Sequence, residues 1–194
     1  AGFDDFLKIF KAYATTDRKE PTPLIQIPVH AVSIAAITAQ SDDQVIRLSH
    51  STSLVYLDKR FILIDPVFSD RASPVQWAGP ERFHPLPISL EELPEIATVI
   101  ISHDHYDHMD KHSLLAINEK VTHFITPLKV GTRLKQWGIP SSKITELNWW
   151  QSITFGSHSF TATPAQHFSG RGIFDRDTTL WAGWAIEGLK TKIF

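Results

Sequence analysis

The chain contains no cysteine and a single methionine. Disulfide bridges and thiolate metal sites are therefore excluded, so any bound ion has to be held by nitrogen and oxygen. No apolar run approaches the ~20 residues of a membrane-spanning helix. Positive charge is neither abundant nor clustered. The 19 Lys and Arg against 21 Asp and Glu leave a formal charge of -2, with no basic stripe to mark a nucleic-acid groove, which argues against a nuclease. Internal repeats and low-complexity tracts are also missing. What the chain does have is length and apolar content: 194 residues, 42% of them hydrophobic, suffice for one folded domain with a real core. It begins at Ala1 rather than Met, so a signal or anchor ahead of it is left open.

One stretch organises the rest. The run Ala97-Thr98-Val99-Ile100-Ile101 reads as a buried strand, and Ser102-His103-Asp104-His105-Tyr106-Asp107-His108-Met109-Asp110 follows it directly. The pattern His-x-His-x-Asp-His concentrates imidazoles and a carboxylate, the usual nitrogen and oxygen ligands of zinc and similar divalent ions. His103 and His105 are two residues apart on extended chain, so their side chains point the same way and can hold one ion. Asp107 and His108 fall where the chain must turn, and can face a second ion beside the first.

Before that stretch, Phe3, Phe6, Leu7 and Phe10 recur at helical spacing, so residues 3–14 read as an amphipathic helix. Such a helix either docks on the body or makes a peripheral membrane or partner contact. Residues 15–28 carry three prolines and read as an arm, so 1–44 forms an N-terminal helix and arm. Val45–Ser49, Ser53–Leu57 and Phe61–Ile64 read as strands, the last two joined by a tight turn at Asp58-Lys59-Arg60. Asp65 ends the third strand, either as a turn residue or as a carboxylate that orients a metal-binding histidine. His50, between two strands, either lines a pocket or is structural. The proline-rich segment 67–94 is a long loop, expected along the mouth of the site, where its apolar residues meet an acyl-bearing substrate or simply anchor the loop.

After the histidine stretch, helices over 111–120 and 130–137 alternate with strands over 123–126 and 143–148. Asp110 is placed to cap the first helix, and His112 faces solvent. This is the α/β pattern of a sheet covered by helices. Strands at 152–155 and 159–163 form a hairpin with His158 exposed in its turn. Strands over 180–187 and 190–194 complete the chain. Arg171 either clamps a phosphate or pairs with Asp175 or Asp177, the second being favoured.

The motif His103-x-His105-x-Asp107-His108 resembles the signature of the metallo-β-lactamase-fold hydrolases. The blocks Leu63-Ile64-Asp65-Pro66-Val67-Phe68-Ser69, Trp149-Trp150, Thr163-Pro164-Ala165-Gln166-His167 and Leu180-Trp181-Ala182-Gly183-Trp184 are similar to the branch containing N-acyl-phosphatidylethanolamine-hydrolysing phospholipase D. The resemblance runs from about Val45 to the end of the chain. It implies an αββα sandwich of which residues 45–194 form the N-terminal half. It implies that His167 joins His103 and His105 on the first ion, and that Asp107 and His108 hold the second. A bridging aspartate and a last histidine are expected beyond Phe194. Zinc is the expected metal, two ions per complete site, with iron or manganese as alternatives.

The implied reaction is hydrolysis by a metal-activated hydroxide, with Asp107 orienting the water or accepting its proton. The expected substrate is a small-molecule or lipid-like ester, most simply a phosphodiester. A lactonase similar to the ascorbate-6-phosphate lactonase group, or another carbonyl-ester hydrolase, is the rival. A different class is a non-catalytic metal-binding half-domain. If half of the sandwich is missing, an apolar face is left open and a second polypeptide or another copy of the chain is expected to cover it.

Overall fold

The structure is a computed structural model, and it describes residues 7, 8, 11, 12, 15, 22–172 and 174–194. The phenylalanine face expected at Phe3, Phe6 and Phe10 lies outside the described residues. Leu7, Lys8, Lys11, Ala12 and Thr15 are helical and exposed. The first complete element is a short helix, α1 (Ile34–Thr38), capped by Ser33, whose Oγ accepts from the Ala36 N–H. It buries Ile37 against the main sheet.

Six strands form that sheet in the order β1 (Gln44–Arg47), β2 (Ser53–Leu57), β3 (Arg60–Ile64), β4 (Ile96–Ile100), β5 (Val121–Pro127) and β6 (Ile144–Leu147). The first three are antiparallel; β3 to β6 run parallel. Asp58 and Lys59 turn the chain between β2 and β3 with φ of 46° and 63°, the paired positive values of a type I′ hairpin. Asp43 Oδ1 secures the turn by accepting from the Asp58 N–H at 2.9 Å. The three parallel pairs need three crossovers: the long 67–94 loop supplies the one from β3 to β4, and α2 (Lys111–Ile117) and α3 (Val130–Gln136) supply those from β4 to β5 and from β5 to β6. Asp110 caps α2 as expected, accepting from the backbone N–H groups of His112 and Ser113.

A second, antiparallel sheet has the order β10 (Lys192–Ile193), β9 (Gly183–Glu187), β8 (His158–Thr163), β7 (Ser152–Phe155). The main sheet is therefore covered on both faces. Leu54, Tyr56, Phe61, Leu63 and Phe124 pack toward the helices with Leu114 and Leu134. Val55, Leu57, Ile62, Ile100 and Ile125 pack toward Phe160, Ala162, Trp184 and Ile186 of the second sheet. Burial on both faces is why β2, β3 and β4 read as continuous apolar runs rather than alternating ones.

Two expectations are corrected here. The open apolar face is not found among the described residues, because the second sheet closes the inner cluster. Strand alternation puts Phe160 and Ala162 inward, leaving Ser159 and Thr161 outward and half-buried. His158 is buried at 2% exposure rather than exposed in the turn. Pairing of β7 with β8 already includes it, opposite Phe155, and its Nε2 lies 3.3 Å from Asp58 Oδ2. The bond that ties the second sheet's β9–β10 connection to the β2–β3 turn is the Leu189 N–H donated to Asp58 Oδ2 at 2.8 Å.

Candidate metal centre

The site is built on the loop that leaves β4. The phase of extended chain divides the loop's side chains into two sets. Asp104, opposite in phase to its neighbours His103 and His105, is fully buried. It accepts from Arg133 Nε of α3 at 2.9 Å and from the Gly170 N–H at 2.8 Å. Arg171 donates to the carbonyls of Asp104 and Met109, both at 2.7 Å, and stacks its guanidinium 3.8 Å from the Tyr106 ring centre. The loop is thus clamped from behind by two arginines. Sequence reading missed Asp104 and Arg133. The alternation of phase was a signal for Asp104; its partner, 29 positions away on another element, gave none. Arg171, expected to pair with Asp175 or Asp177, grips carbonyls with its guanidinium. Asp175 pairs with Arg133 at 2.7 Å instead, and accepts from the backbone N–H groups of Arg171 and Gly172.

On the front of the loop, three ring nitrogens converge. His103 Nε2 lies 2.9 Å from His105 Nδ1 and 2.9 Å from His167 Nε2. His167 comes from the segment after β8, which is held by a relay of tryptophans. Trp181 Nε1 donates to the Ala165 carbonyl at 2.7 Å, and Trp149 Nε1 donates to the Trp181 carbonyl at 2.6 Å. The two sheets also meet at this level, through Ala182 N–H to the Ser102 carbonyl and Trp184 Nε1 to the Ile101 carbonyl.

Behind the rings sits Asp65, buried and with φ of 45° at the end of β3. Its Oδ1 accepts from the Ser102 N–H at 2.7 Å, and its Oδ2 accepts from Ser102 Oγ at 2.6 Å and meets His108 Nδ1 at 2.7 Å. Ser102 Oγ in turn lies 2.9 Å from His103 Nδ1. With its hydrogen given to Asp65, Ser102 accepts from His103 Nδ1–H. The His103 Nε2 lone pair is thereby left facing the two neighbouring rings. One lone pair cannot satisfy two ring nitrogens at hydrogen-bond distance, whereas a shared cation can, so the donor set fits a metal ion. Asp65 thus turns the chain at the end of β3 and touches both Ser102 and His108.

Asp107 and His108 form a second cluster with His50: Asp107 Oδ2 is 3.7 Å from His108 Nε2 and 3.5 Å from His50 Nε2. Burial and the neighbouring imidazoles push the His103 pKa down to about 2. Burial, reinforced by His167, also lowers His105 against the pull of Asp107 and Asp104. Burial opposes protonation of His108 as well, but the hydrogen bond and charge of Asp65, with Asp107, outweigh it and its pKa is raised.

Both clusters border a cleft of about 1050 Å³. The 67–94 loop supplies one wall, including Val67 and Phe83; Ile27, Val32, Ile46 and Leu48 supply apolar surface opposite. His50, His105 and Asp107 reach into it. His112 stays exposed on α2 and belongs to no cluster.

Residues 60–194 match the family model of the beta-lactamase superfamily domain. An uncharacterised protein of Mycobacterium tuberculosis is 46% identical over 140 residues, which cover 72% of this chain and 37% of that protein. The N-acyl-phosphatidylethanolamine-hydrolyzing phospholipase D 1 of Caenorhabditis elegans is 37% identical over 178 residues, 87% of this chain and 50% of the nematode protein. The chain thus spans half or less of the length of these relatives. Among solved structures, CmlA, a diiron β-hydroxylase from Streptomyces venezuelae, aligns with a TM-score of 0.57 at 23% identity, over 79% of this chain and 29% of that one. Igni18, a metallo hydrolase from Ignicoccus hospitalis, aligns with a TM-score of 0.55 at 19% identity, over 78% and 58% respectively. At these identities the structural matches speak for the fold.

Proposed function

The chain belongs to the metallo-β-lactamase superfamily of metal-dependent hydrolases, and from that premise we propose that it carries the ion-holding half of a phosphodiesterase acting on lipid-like esters. The observation that carries this reading is the convergence of His103, His105 and His167 beside Asp107 and His108, at one end of an apolar-walled cleft. His103, His105 and His167 would hold the first ion, and Asp107 and His108 would share the second; zinc suits these donors, as do iron and manganese. Bound there, such ions acidify water and neutralise charge on the attacked and leaving oxygens.

The chain's own groups do the rest. Asp65 and Ser102 fix the tautomers of His108 and His103, so that each presents the correct nitrogen. Asp107, at the cleft surface, is the carboxylate placed to orient a water or take its proton. The apolar wall would hold acyl chains while leaving the ester at the histidines. The name of the nematode relative supports a phosphodiester over a carbonyl ester as the bond cleaved.

The test is turnover of bis(p-nitrophenyl) phosphate and of an N-acylated phosphatidylethanolamine, against a simple lactone, by the ion-loaded protein. We expect phosphodiester cleavage that is lost in His103→Ala and His105→Ala. Lactone turnover with inert phosphodiesters would move the assignment to a lactonase. Ion binding with no turnover of any of the three substrates would favour a non-catalytic metal-binding domain instead.

A further inference from the structure

The second cluster has a donor that the sequence pattern did not assign. We propose that His50 is a further protein ligand of the second ion, which would sit between His50 Nε2, Asp107 Oδ2 and His108 Nε2. The proposal rests on the metal-hydrolase reading above and names one more residue of that site.

Distance is the first argument. The separations of 3.5 Å from Asp107 Oδ2 to His50 Nε2 and 3.7 Å to His108 Nε2 are too long for hydrogen bonds. They match the spacing of co-ligands instead: two donors each about 2.0–2.1 Å from a tetrahedral ion stand about 3.3 Å apart. One donor atom from each of the three residues lies within 4.8 Å of the other two.

Orientation is the second. His108 gives its Nδ1 to Asp65 at 2.7 Å, so Nε2 is the atom left to face Asp107 and His50. Burial does not account for the position of the His50 ring, whose side chain is 73% exposed.

The third is the turn that carries His50, which is tied down on every side. Arg47 donates from Nε to the Ser49 carbonyl at 3.1 Å and from NH2 to the His50 carbonyl at 2.8 Å. Ser51 Oγ donates to the Asp107 carbonyl. Thr52 Oγ1 accepts from Ser49 Oγ at 3.0 Å and donates to the Asp65 carbonyl at 2.7 Å. Ser51 and Thr52 therefore register the His50 turn directly on the two residues that shape the second cluster. Such positioning is what a ligand needs and a surface histidine does not.

Equilibrium dialysis and calorimetric titration with zinc or cobalt(II) alone test this. The unmodified chain is expected to bind two ions. His50→Ala and His50→Gln are expected to keep the first and weaken the second at least tenfold. Their circular dichroism and chelator-treated melting should be unchanged, because the ring is exposed. The ligand-field absorption of the second cobalt equivalent should change in both variants. His103→Ala should do the reverse, losing the first ion and keeping the second. Two ions bound by both His50 variants with unaltered affinity would overturn the assignment of His50 and leave the metal-hydrolase reading standing. A single ion bound by the unmodified chain would overturn the three-donor site. No ion bound at all would overturn both.

Discussion

Asp65→Asn isolates the residue on which both clusters lean. The side-chain shape is kept, and Asn tolerates the left-handed backbone at φ of 45°. The carboxylate now serves three donors, Ser102 N, Ser102 Oγ and His108 Nδ1, at 2.7, 2.6 and 2.7 Å. With Oδ1 kept as the acceptor of the Ser102 N–H, an amide NH2 replaces the Oδ2 that both Ser102 Oγ and His108 Nδ1 use. His108 then loses the acceptor that fixes its tautomer. Disrupting a ligand's hydrogen-bonding support in this way weakens metal binding about 10–100-fold, or about 1.4–2.7 kcal/mol. Loss of a buried, charge-assisted bond should also destabilise the ion-free fold by about 1.5–3 kcal/mol.

Three measurements separate these effects: chelator competition for the second ion, urea unfolding in excess chelator, and an NMR titration of His108 without metal. The raised His108 pKa of the unmodified chain depends on Asp65. Its titration midpoint is therefore expected to fall in the variant. A variant that holds the second ion with unchanged affinity, and whose His108 titrates as before, would refute the claim that Asp65 orients this histidine.

Three other outcomes follow from the same coordinates. Asp104→Asn should cost about 1.5–3 kcal/mol in urea unfolding, because it weakens the charge-assisted bonds from Arg133 and the Gly170 N–H while Arg133 keeps Asp175; a cost under about 0.5 kcal/mol would show that the rear clamp is not needed. Phe160→Ala, at a residue with no exposure between the sheets, should cost about 3–5 kcal/mol by the same measurement; near-neutrality would mean that the inner core is not closed as described. The ion-free protein should lose stability as the pH falls below about 6.5. His103, His105 and His123 have lowered pKa values, so the unfolded chain takes up protons there that the folded chain refuses. His108 acts oppositely, its contribution being full below about pH 6.5 and lost as pH rises through its folded value. The large lowering of His103, to about 2, decides the balance, so stability that is flat or rising toward acid in chelator would refute the burial of that imidazole.

Much of the fold was legible because its signals are local. The turn at Asp58-Lys59, the Asp110 cap and the apolar runs of β2 to β4 are each written within a few residues. So were His103, His105, Asp107 and His108, whose spacing on extended chain and turn brings their donors together. His167 was reachable only through the resemblance, since a lone histidine after a strand carries no mark of the 64 positions it spans to reach His103. His158 was misread because the turn of its hairpin is two residues long, and a one-residue difference in register exchanges the inward and outward faces. His50 was left open because its meaning depends on Ser51 and Thr52 contacting residues more than ten positions away.

The two clusters differ in what they join, and this has a thermodynamic consequence. His103 and His105 leave the main sheet after β4, whereas His167 leaves the second sheet after β8. An ion on the first cluster therefore links the two sheets, beside the bonds from Ala182 N–H and Trp184 Nε1 that already join them. His50, Asp107 and His108 all belong to segments bordering strands of the main sheet, so an ion there links only neighbouring loops. Either ion stabilises by mass action, about 2.7 kcal/mol at a hundred times its Kd. Only the first should also protect the β8–β9 amides from exchange at low denaturant, where opening by separation of the sheets is seen. Hydrogen exchange of His103→Ala and His50→Ala in saturating zinc decides this. Protection of β8 and β9 should fall in the first variant and hold in the second. Equal loss in both would mean that the sheets are held together by their apolar core alone.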